Sequence, residues 1–252
     1  MQSAKSAFNL KTNMIKLAIS GCQGRMGTRI TQLAQADKDF KISALLEYEK
    51  HPAIGIKFSD LTVTSDSASI KGSDVLIEFT TPDSTIEHLK ACVAHKVKMV
   101  IGTTGLNDAQ IKEIDAASKK IPIVFSSNMS VGVNLFFKVS GEVAEKIGKS
   151  YTMKITEAHH IHKKDAPSGT AKTLAQIVEG SSKAKVADIK SIREGEIIGD
   201  HDIVFESDVD TITIRHHAKT RDIFAGGSLV AAKFLAKKQK GLFNMQDVLG
   251  LK

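Results

Sequence analysis

Apolar residues fall in short runs separated by stretches of helical spacing, and this alternation holds through the first half of the chain. Met14–Ser20 (MIKLAIS), Lys41–Leu46, Asp74–Phe79 (DVLIEF), Val97–Gly102 (VKMVIG) and Ile121–Phe125 (IPIVF) are compact runs of the kind buried on both faces in a parallel sheet. Between them, a stretch through Ile30, Leu33 and Ala34, then Ser84–His95 and Asn107–Lys119, read as helices. Strand and helix in turn predict a doubly wound sheet over about the first 125 residues.

After Asn128 the pattern changes. A helix is predicted over Val133–Ile147, a strand over Thr152–Glu157 and a helix over Thr170–Glu179. Val186–Ile192, His201–Ser207 and Val209–His216 then follow as strands with no helix between them, the last two joined by a hairpin at Ser207-Asp208. That grouping predicts a second, smaller α+β domain with a mixed or antiparallel sheet. Phe224–Ser228 and a helix to about Gln239 read as a crossing back to the first sheet.

The first strand runs into GCQGRMG, with Gly21, Gly24 and Gly27, and then into a helix. Strand, glycine turn and helix form the context of a dinucleotide fingerprint, and the spacing departs from the commoner one because Gln23 stands where its second glycine would be. The next strand ends in Glu47, an acid placed to accept hydrogen bonds from an adenosine ribose. Gly21 permits the turn, Gly24 lets a pyrophosphate approach the backbone, Gly27 lets helix pack on sheet, and Arg25 adds a charge. Ligands of such sheets gather at the carboxyl ends of the strands. There the loops Phe79-Thr80-Thr81-Pro82, Gly102-Thr103-Thr104-Gly105 and Ser126-Ser127-Asn128-Met129 offer hydroxyls and open backbone for a nicotinamide ribose and amide. The first domain is therefore Rossmann-like; a structural glycine turn in some other α/β protein is the competing reading.

The densest chemistry lies in Glu157–Ala171, EAHHIHKKDAPSGTA, a strand-to-helix loop. Ser168 is a good N-cap after Pro167, and the amides of Gly169 and Thr170 would open the helix toward an anion. Lys163 and Lys164 can add formal charge, and His159 or His160 can donate a proton near neutral pH. Two other readings fit the same letters: zinc held by His159, His160 and His162, or an ordinary solvated loop. Against zinc, adjacent residues on a strand point to opposite faces. The later block Arg215–Arg221 (RHHAKTR) reads as a loop or an interface.

Composition narrows the classes. At 252 residues with 42% hydrophobic and 25% charged residues, the chain has material for one large or two modest domains and is not expected to be disordered. No apolar run reaches membrane-spanning length. The net charge of +7 suits steering of a small anion better than nucleic acid, because aromatic residues are only 5% and no basic run is interleaved with stacking rings. Cys22 and Cys92 are too few for a disulfide framework, which points to a reducing, cytoplasmic compartment. Residues 1–13 lack arginine and a long apolar core, arguing against a signal or transit peptide, and read as a floppy extension before Met14.

GCQGRMG, GTTG at Gly102–Gly105, SSNMSVGVN at Ser126–Asn134, EAHHIHKKDAPSGTA and RHHAKTRDIFAGG together resemble the 4-hydroxy-tetrahydrodipicolinate reductase family of the diaminopimelate route to lysine, long called dihydrodipicolinate reductase. The resemblance implies a dinucleotide-binding domain over 14–128 completed by 222–252, a substrate-binding and oligomerisation domain over 129–221, and a homotetramer built through the second domain's sheet. It implies hydride delivery from NADH and/or NADPH to a cyclic dicarboxylate with loss of water, and no metal. His159 would be the proton donor and Lys163 a second catalytic group, with His160, Lys163, Ser168, Gly169 and Thr170 holding the substrate. Gly21, Cys22, Gln23, Gly24, Arg25, Met26, Gly27, Glu47, Phe79, Gly102, Thr103, Thr104, Ser126, Ser127, Asn128 and Met129 would hold the cofactor. Many family members have an arginine directly after the ribose-binding acid; here Tyr48 follows Glu47 and Lys50 is the near cation, so NADH is expected to serve at least as well as NADPH. Another nicotinamide oxidoreductase, a non-catalytic dinucleotide sensor and a zinc hydrolase are the rival functions.

Overall fold

The computed structural model describes residues 14–251; the extension expected over 1–13 lies outside the described residues. In chain order the main elements are β1 (Ile15–Ser20), α1 (Arg25–Ala36), β2 (Phe40–Leu46), β3 (Lys57–Phe58), β4 (Leu61–Thr62), β5 (Val75–Glu78), α2 (Pro82–His95), β6 (Lys98–Ile101), α3 (Asp108–Ser118) and β7 (Pro122–Phe125). The second half adds α4 (Val131–Ile147), β8 (Thr152–His159), α5 (Gly169–Ser182), β9 (Val186–Arg193), β10 (Asp200–Glu206), β11 (Thr211–His217), α6 (Asp222–Ala236), β12 (Gly241–Phe243) and α7 (Met245–Val248).

Six parallel strands in the order β12-β7-β6-β5-β1-β2 make the first sheet. Its order reverses between β1 and β5, so the glycine turn after β1 opens at the topological switch point where such sheets bind ligands. The strands are buried on both faces: Leu17, Ile19, Val75 and Ile77 pack with Ile30 of α1 and Leu229 and Ala232 of α6, while Leu76, Met99 and Ile101 pack with Leu89 and Ile114 of α2 and α3. Local signals set the helix starts. Thr81 caps α2 ahead of Pro82, and Asn107 with Gln110 closes a capping box on α3.

The second sheet has the order β11-β10-β8-β9, with β8 and β9 parallel and the other pairings antiparallel. Helices α4 and α5 cover one face through Phe136, Phe137, Leu174 and Val178 against Ile155, Ile203 and Phe205. The chain leaves the first sheet after β7 and re-enters it as β12.

Several details differ from the sequence reading. The strand expected from Met14 starts at Ile15, and β8 continues through His159 because that side chain turns inward and is buried. Ser130 caps α4, so the helix begins at Val131, two positions ahead of Val133. The hairpin turn spans Ser207–Asp210: the Ser207 hydroxyl accepts from both Val209 and Asp210 amides, Val209 is left 92% exposed, and β11 starts at Thr211. Helix α6 stops at Ala236 rather than near Gln239.

Candidate active site

The first turn of α1 is built to receive a group at its mouth. Gly21 has φ +63°, and Gly24, the N-cap, offers no side-chain hydrogen bond to the first amides. A Cβ on Gly27 would lie 2.0 Å from the Gly21 carbonyl oxygen, so the helix seats on the turn only because that position is bare. Glu47, at the end of β2, accepts from the Gln23 amide at 2.8 Å, which ties the turn to the acid. Gly21, Gln23, Gly24 and Glu47 border a cavity of about 830 Å³ that continues past Tyr48, Glu49, Phe79, Thr80, Ser84, Glu87 and His88; none of its lining residues is Lys or Arg. Beneath it Glu78, fully buried, bonds His88 Nδ1 at 2.6 Å and accepts from the Thr80 hydroxyl. Burial works against the charged His88 ring, but this bond prevails and raises its pKa.

A second cleft of about 310 Å³ adjoins the turn. Arg25, Met26, Phe79, Gly102, Ser127, Asn128 and Met129 line it from the first half of the chain, and His159, His160, Lys163 and Thr170 from the histidine loop. The two halves touch there: the Asn128 amide donates to the Thr170 hydroxyl at 3.1 Å. A Cβ on Gly102 would meet the Phe79 ring at 2.3 Å, so this glycine lets the ring lie across the cleft.

Glu157 holds the loop's geometry. Its fully buried carboxylate takes the Arg193 guanidinium in a bidentate pair (3.0 and 2.8 Å), the Ser168 amide at 3.2 Å and His159 Nδ1 at 2.5 Å. Arg193 also donates to the backbone oxygens of Lys163 and Asp165, fixing the loop between β8 and α5. Burial pushes the Glu157 carboxyl up, but the bonds from Arg193, Ser191 and His159 overturn it and hold its pKa at about 2. Burial lowers the pKa of His159; the Glu157 bond opposes this, while the charges of Lys163 and Arg193 add to it. His201 packs edge-on against His159 at 5.2 Å and bonds the Ser168 hydroxyl at 3.2 Å. Burial, then the charge of His159, brings its pKa down to about 3.

Not every candidate faces a cavity. Cys22, Gly27, Thr103, Thr104, Ser126, Ser168 and Gly169 line neither. Cys22 is buried beneath the turn, its thiol pushed up to about 11 by burial and the charge of Glu47. Thr103 accepts from the Thr80 amide, Ser126 donates to the Asn128 carbonyl, and Ser168 caps α5 through the Ala171 amide, so these side chains hold loops. Lys50 is not among the lining residues of either cavity, whereas Glu49 and Glu87 are. His162 stands exposed, 3.4 Å from Glu196, and among the described residues no group of three or more His, Cys, Asp or Glu is gathered for a metal.

The reading of Arg215–Arg221 as a loop or interface needs correction only at its start, since Ala218–Arg221 do form the loop between β11 and α6. Arg215–His217 belong to β11, and the chain after them carries Arg221 and Phe224 into the cleft beside His159. The run of cations was a visible signal for Arg221. Nothing in the sequence marked Arg193 as the partner of Glu157.

Two family models match the chain: "Dihydrodipicolinate reductase, N-terminus" over residues 15–129 and "Dihydrodipicolinate reductase, C-terminus" over 132–249. The chain is 39% identical to 4-hydroxy-tetrahydrodipicolinate reductase of Herminiimonas arsenicoxydans, covering 95% of this chain and 100% of that one. It is 40% identical to the enzyme of the same name from Nitrosomonas eutropha, covering 95% and 99%. Among solved structures, the dipicolinate-bound dihydrodipicolinate reductase from Paenisporosarcina sp. TG-14 superposes with a TM-score of 0.79 at 24% identity, covering 93% of this chain and 98% of that one. An amine dehydrogenase from Mycobacterium smegmatis shares the fold at a TM-score of 0.63 and 9% identity, covering 92% and 95%.

Proposed function

The chain belongs to the dihydrodipicolinate reductase family, the 4-hydroxy-tetrahydrodipicolinate reductases of the diaminopimelate route to lysine, and on that premise we propose how its two cavities divide the reaction. The larger takes the adenosine side of a reduced nicotinamide nucleotide, and the smaller takes its nicotinamide together with the cyclic dicarboxylate. The observation that carries this is a single cleft wall: Arg25 and Met26 of the glycine turn face the same space as His159, His160, Lys163 and Thr170.

The residues present suit that ligand. The uncapped first turn of α1 favours a pyrophosphate, Glu47 accepts from a ribose, and Phe79 beside the bare Gly102 offers a flat apolar surface for a ring. When bound, the nucleotide supplies the hydride. Thr170 at the start of α5, with Lys163 and His160, receives the carboxylates, while Ser168 shapes the mouth of that helix from beneath. Lys163 pairs with Asp165 at 2.8 Å until a carboxylate of the substrate competes for it. His159 gives its proton from Nε2, because Nδ1 is engaged by Glu157. Burial disfavours the charged ring in the free protein, and a doubly negative ligand pushes the other way, so the proton donor forms as the substrate arrives.

The wall of the larger cavity decides between the two nucleotides. Glu47, Glu49 and Glu87 line it with no Lys or Arg beside them, so a 2′-phosphate meets like charge and NADH is favoured. Residues 14–128 with 222–252 form the nucleotide unit of this proposal, and 129–221 the substrate unit. The homotetramer forms on the second sheet, where β8 buries alternate residues against the helices and leaves the others outward. A reducing, cytoplasmic setting fits the two free, buried cysteines. Among the described residues no helix is long and apolar enough to cross a membrane.

The test follows absorbance of the reduced nicotinamide while the unstable substrate is generated enzymatically. The expected result is oxidation dependent on both partners, with a larger kcat/KM for NADH than NADPH at low salt and a gap that narrows as salt screens the carboxylates. His159→Gln should lower kcat by roughly 10²–10⁴-fold with little change in substrate binding. An unchanged kcat would remove His159 from the reaction, and an NADPH advantage would overturn the reading of the acidic wall.

A further inference from the structure

Lys163 and Asp165 stand two positions apart in the loop between β8 and α5, and one guanidinium holds the backbone of both. Arg193, itself clamped by Glu157, donates from Nε to the Lys163 carbonyl at 3.3 Å and from Nη2 to the Asp165 carbonyl at 2.5 Å. The loop fixed in this way brings Lys163 Nζ to 2.8 Å from Asp165 Oδ1. Burial works against the charged Asp165 carboxyl, but the bond and charge of Lys163, with the charge of Arg193, prevail and hold it below its ordinary range. Asp165 is therefore an anion at neutral pH.

The two partners differ in what they face. Lys163 lines the cleft with His159, His160 and Thr170, whereas Asp165 is not among its lining residues, and its side chain is 52% exposed against 23% for the lysine. The lysine is the half of the pair that a ligand reaches, and it is held from outside the space the ligand fills. An ammonium is a compact charge on a flexible stem, with one unit to share. A ligand carboxylate must draw that charge from Asp165, and exchanging one carboxylate for another returns less than capturing an unpaired lysine would. Reduction of the ring leaves both of its carboxylates in place, so the exchange weakens the hold on substrate and product alike.

Building on the site reading above, we infer that Asp165 sets the affinity of the cleft, as an internal counter-ion that competes with the carboxylate of substrate and product for Lys163. It acts through the lysine and not on the reacting ring. Without its charge the cleft holds dicarboxylates more tightly.

The test titrates pyridine-2,6-dicarboxylate, a stable ring with the two carboxylates, into the NADH-saturated full chain by calorimetry at low salt, and measures KM with enzymatically generated substrate. Asp165→Asn should lower the Kd of the dicarboxylate and the substrate KM about twofold to tenfold, with the Kd for NADH unchanged. Asp165→Glu, which keeps the competing charge, should stay close to wild type. A raised Kd and KM in Asp165→Asn would overturn the inference by making Asp165 the residue that aims Lys163 into the cleft, and unchanged values would overturn it by showing that the pair has no bearing on binding. Equal tightening by Asp165→Asn in a Lys163→Met background would overturn it too, in favour of general repulsion between anions. Asp165→Ser removes the charge with a different side chain and settles the matter if Asp165→Asn does not fold. Failure of the site reading itself shows differently: Lys163→Met alone would then leave the Kd of the dicarboxylate unchanged.

Discussion

Glu157 is fully buried, ionised and shared between a cation and the imidazole proposed to give the proton. Its bond to His159 raises the pKa of that ring against the burial that lowers it. Glu157→Gln removes the raising contribution, so the ring loses its proton at lower pH and the basic limb of the kcat–pH profile should move toward acid. The same change leaves the partly buried Arg193 without its counter-charge, at a cost of roughly 3 kcal/mol measured by denaturant unfolding. A basic limb that stays in place, in a folded variant, would show that Glu157 serves Arg193 and the loop but not His159. The histidine block itself was legible because histidines, lysines and a helix start crowd into one short segment. Its supports were not: Arg193 and His201 reach the block only through the pairing of β8 with β9 and β10, which no local pattern encodes.

Elements with a strong period were readable from the chain, and those depending on contacts between distant segments were not. The strands of the first sheet, each buried on both faces, and the helices between them follow from their apolar spacing. By contrast β12 is three residues long and exists because it pairs with β7, and β3 with β4 are two residues each, too short to show a period. The glycine turn lies between these cases: its letters announce a tight turn, but only the packed helix shows which glycine is indispensable. A methyl on Gly27 would lie 2.0 Å from the Gly21 oxygen and 2.7 Å from Cys22 Cα, both backbone, whereas one on Gly24 meets only the Gly21 oxygen, at 3.1 Å. Gly27→Ala must therefore lift α1 off the turn, with an expected loss of about 1–3 kcal/mol and of NADH binding. Gly24→Ala should be milder in stability. Equal unfolding midpoints for the two variants, measured side by side, would contradict this account of how α1 seats.

At the scale of the whole molecule, the two sheets meet through a few named contacts. Asn128 bonds Thr170, and Gln246 of α7 donates to the backbone and side chain of Asn134 on α4. The patch behind the cleft carries the pH dependence of this assembly. His201 titrates near 3 when folded against an ordinary 6.5, and Glu157 near 2 against 4.5. Both folded values are depressed, so each contributes stability that is present above its ordinary value and lost as pH falls toward the folded one. His159 and His216 are lowered by burial and act in the same sense, while His88, raised by Glu78, acts in the opposite one. Stability should therefore begin to fall below pH 6.5, as the unfolded chain takes up protons that the buried histidines refuse, and fall more steeply once Glu157 joins below pH 4.5. His201→Gln keeps an acceptor for Ser168 and removes one such group. Between those two pH values it should reduce the slope of unfolding free energy by about 1.4 kcal/mol per pH unit. Chemical denaturation at a series of pH values measures that slope directly. An unchanged slope in the variant would mean that His201 is protonated in the folded protein, and that the patch beneath the cleft is not closed to charge as its burial requires.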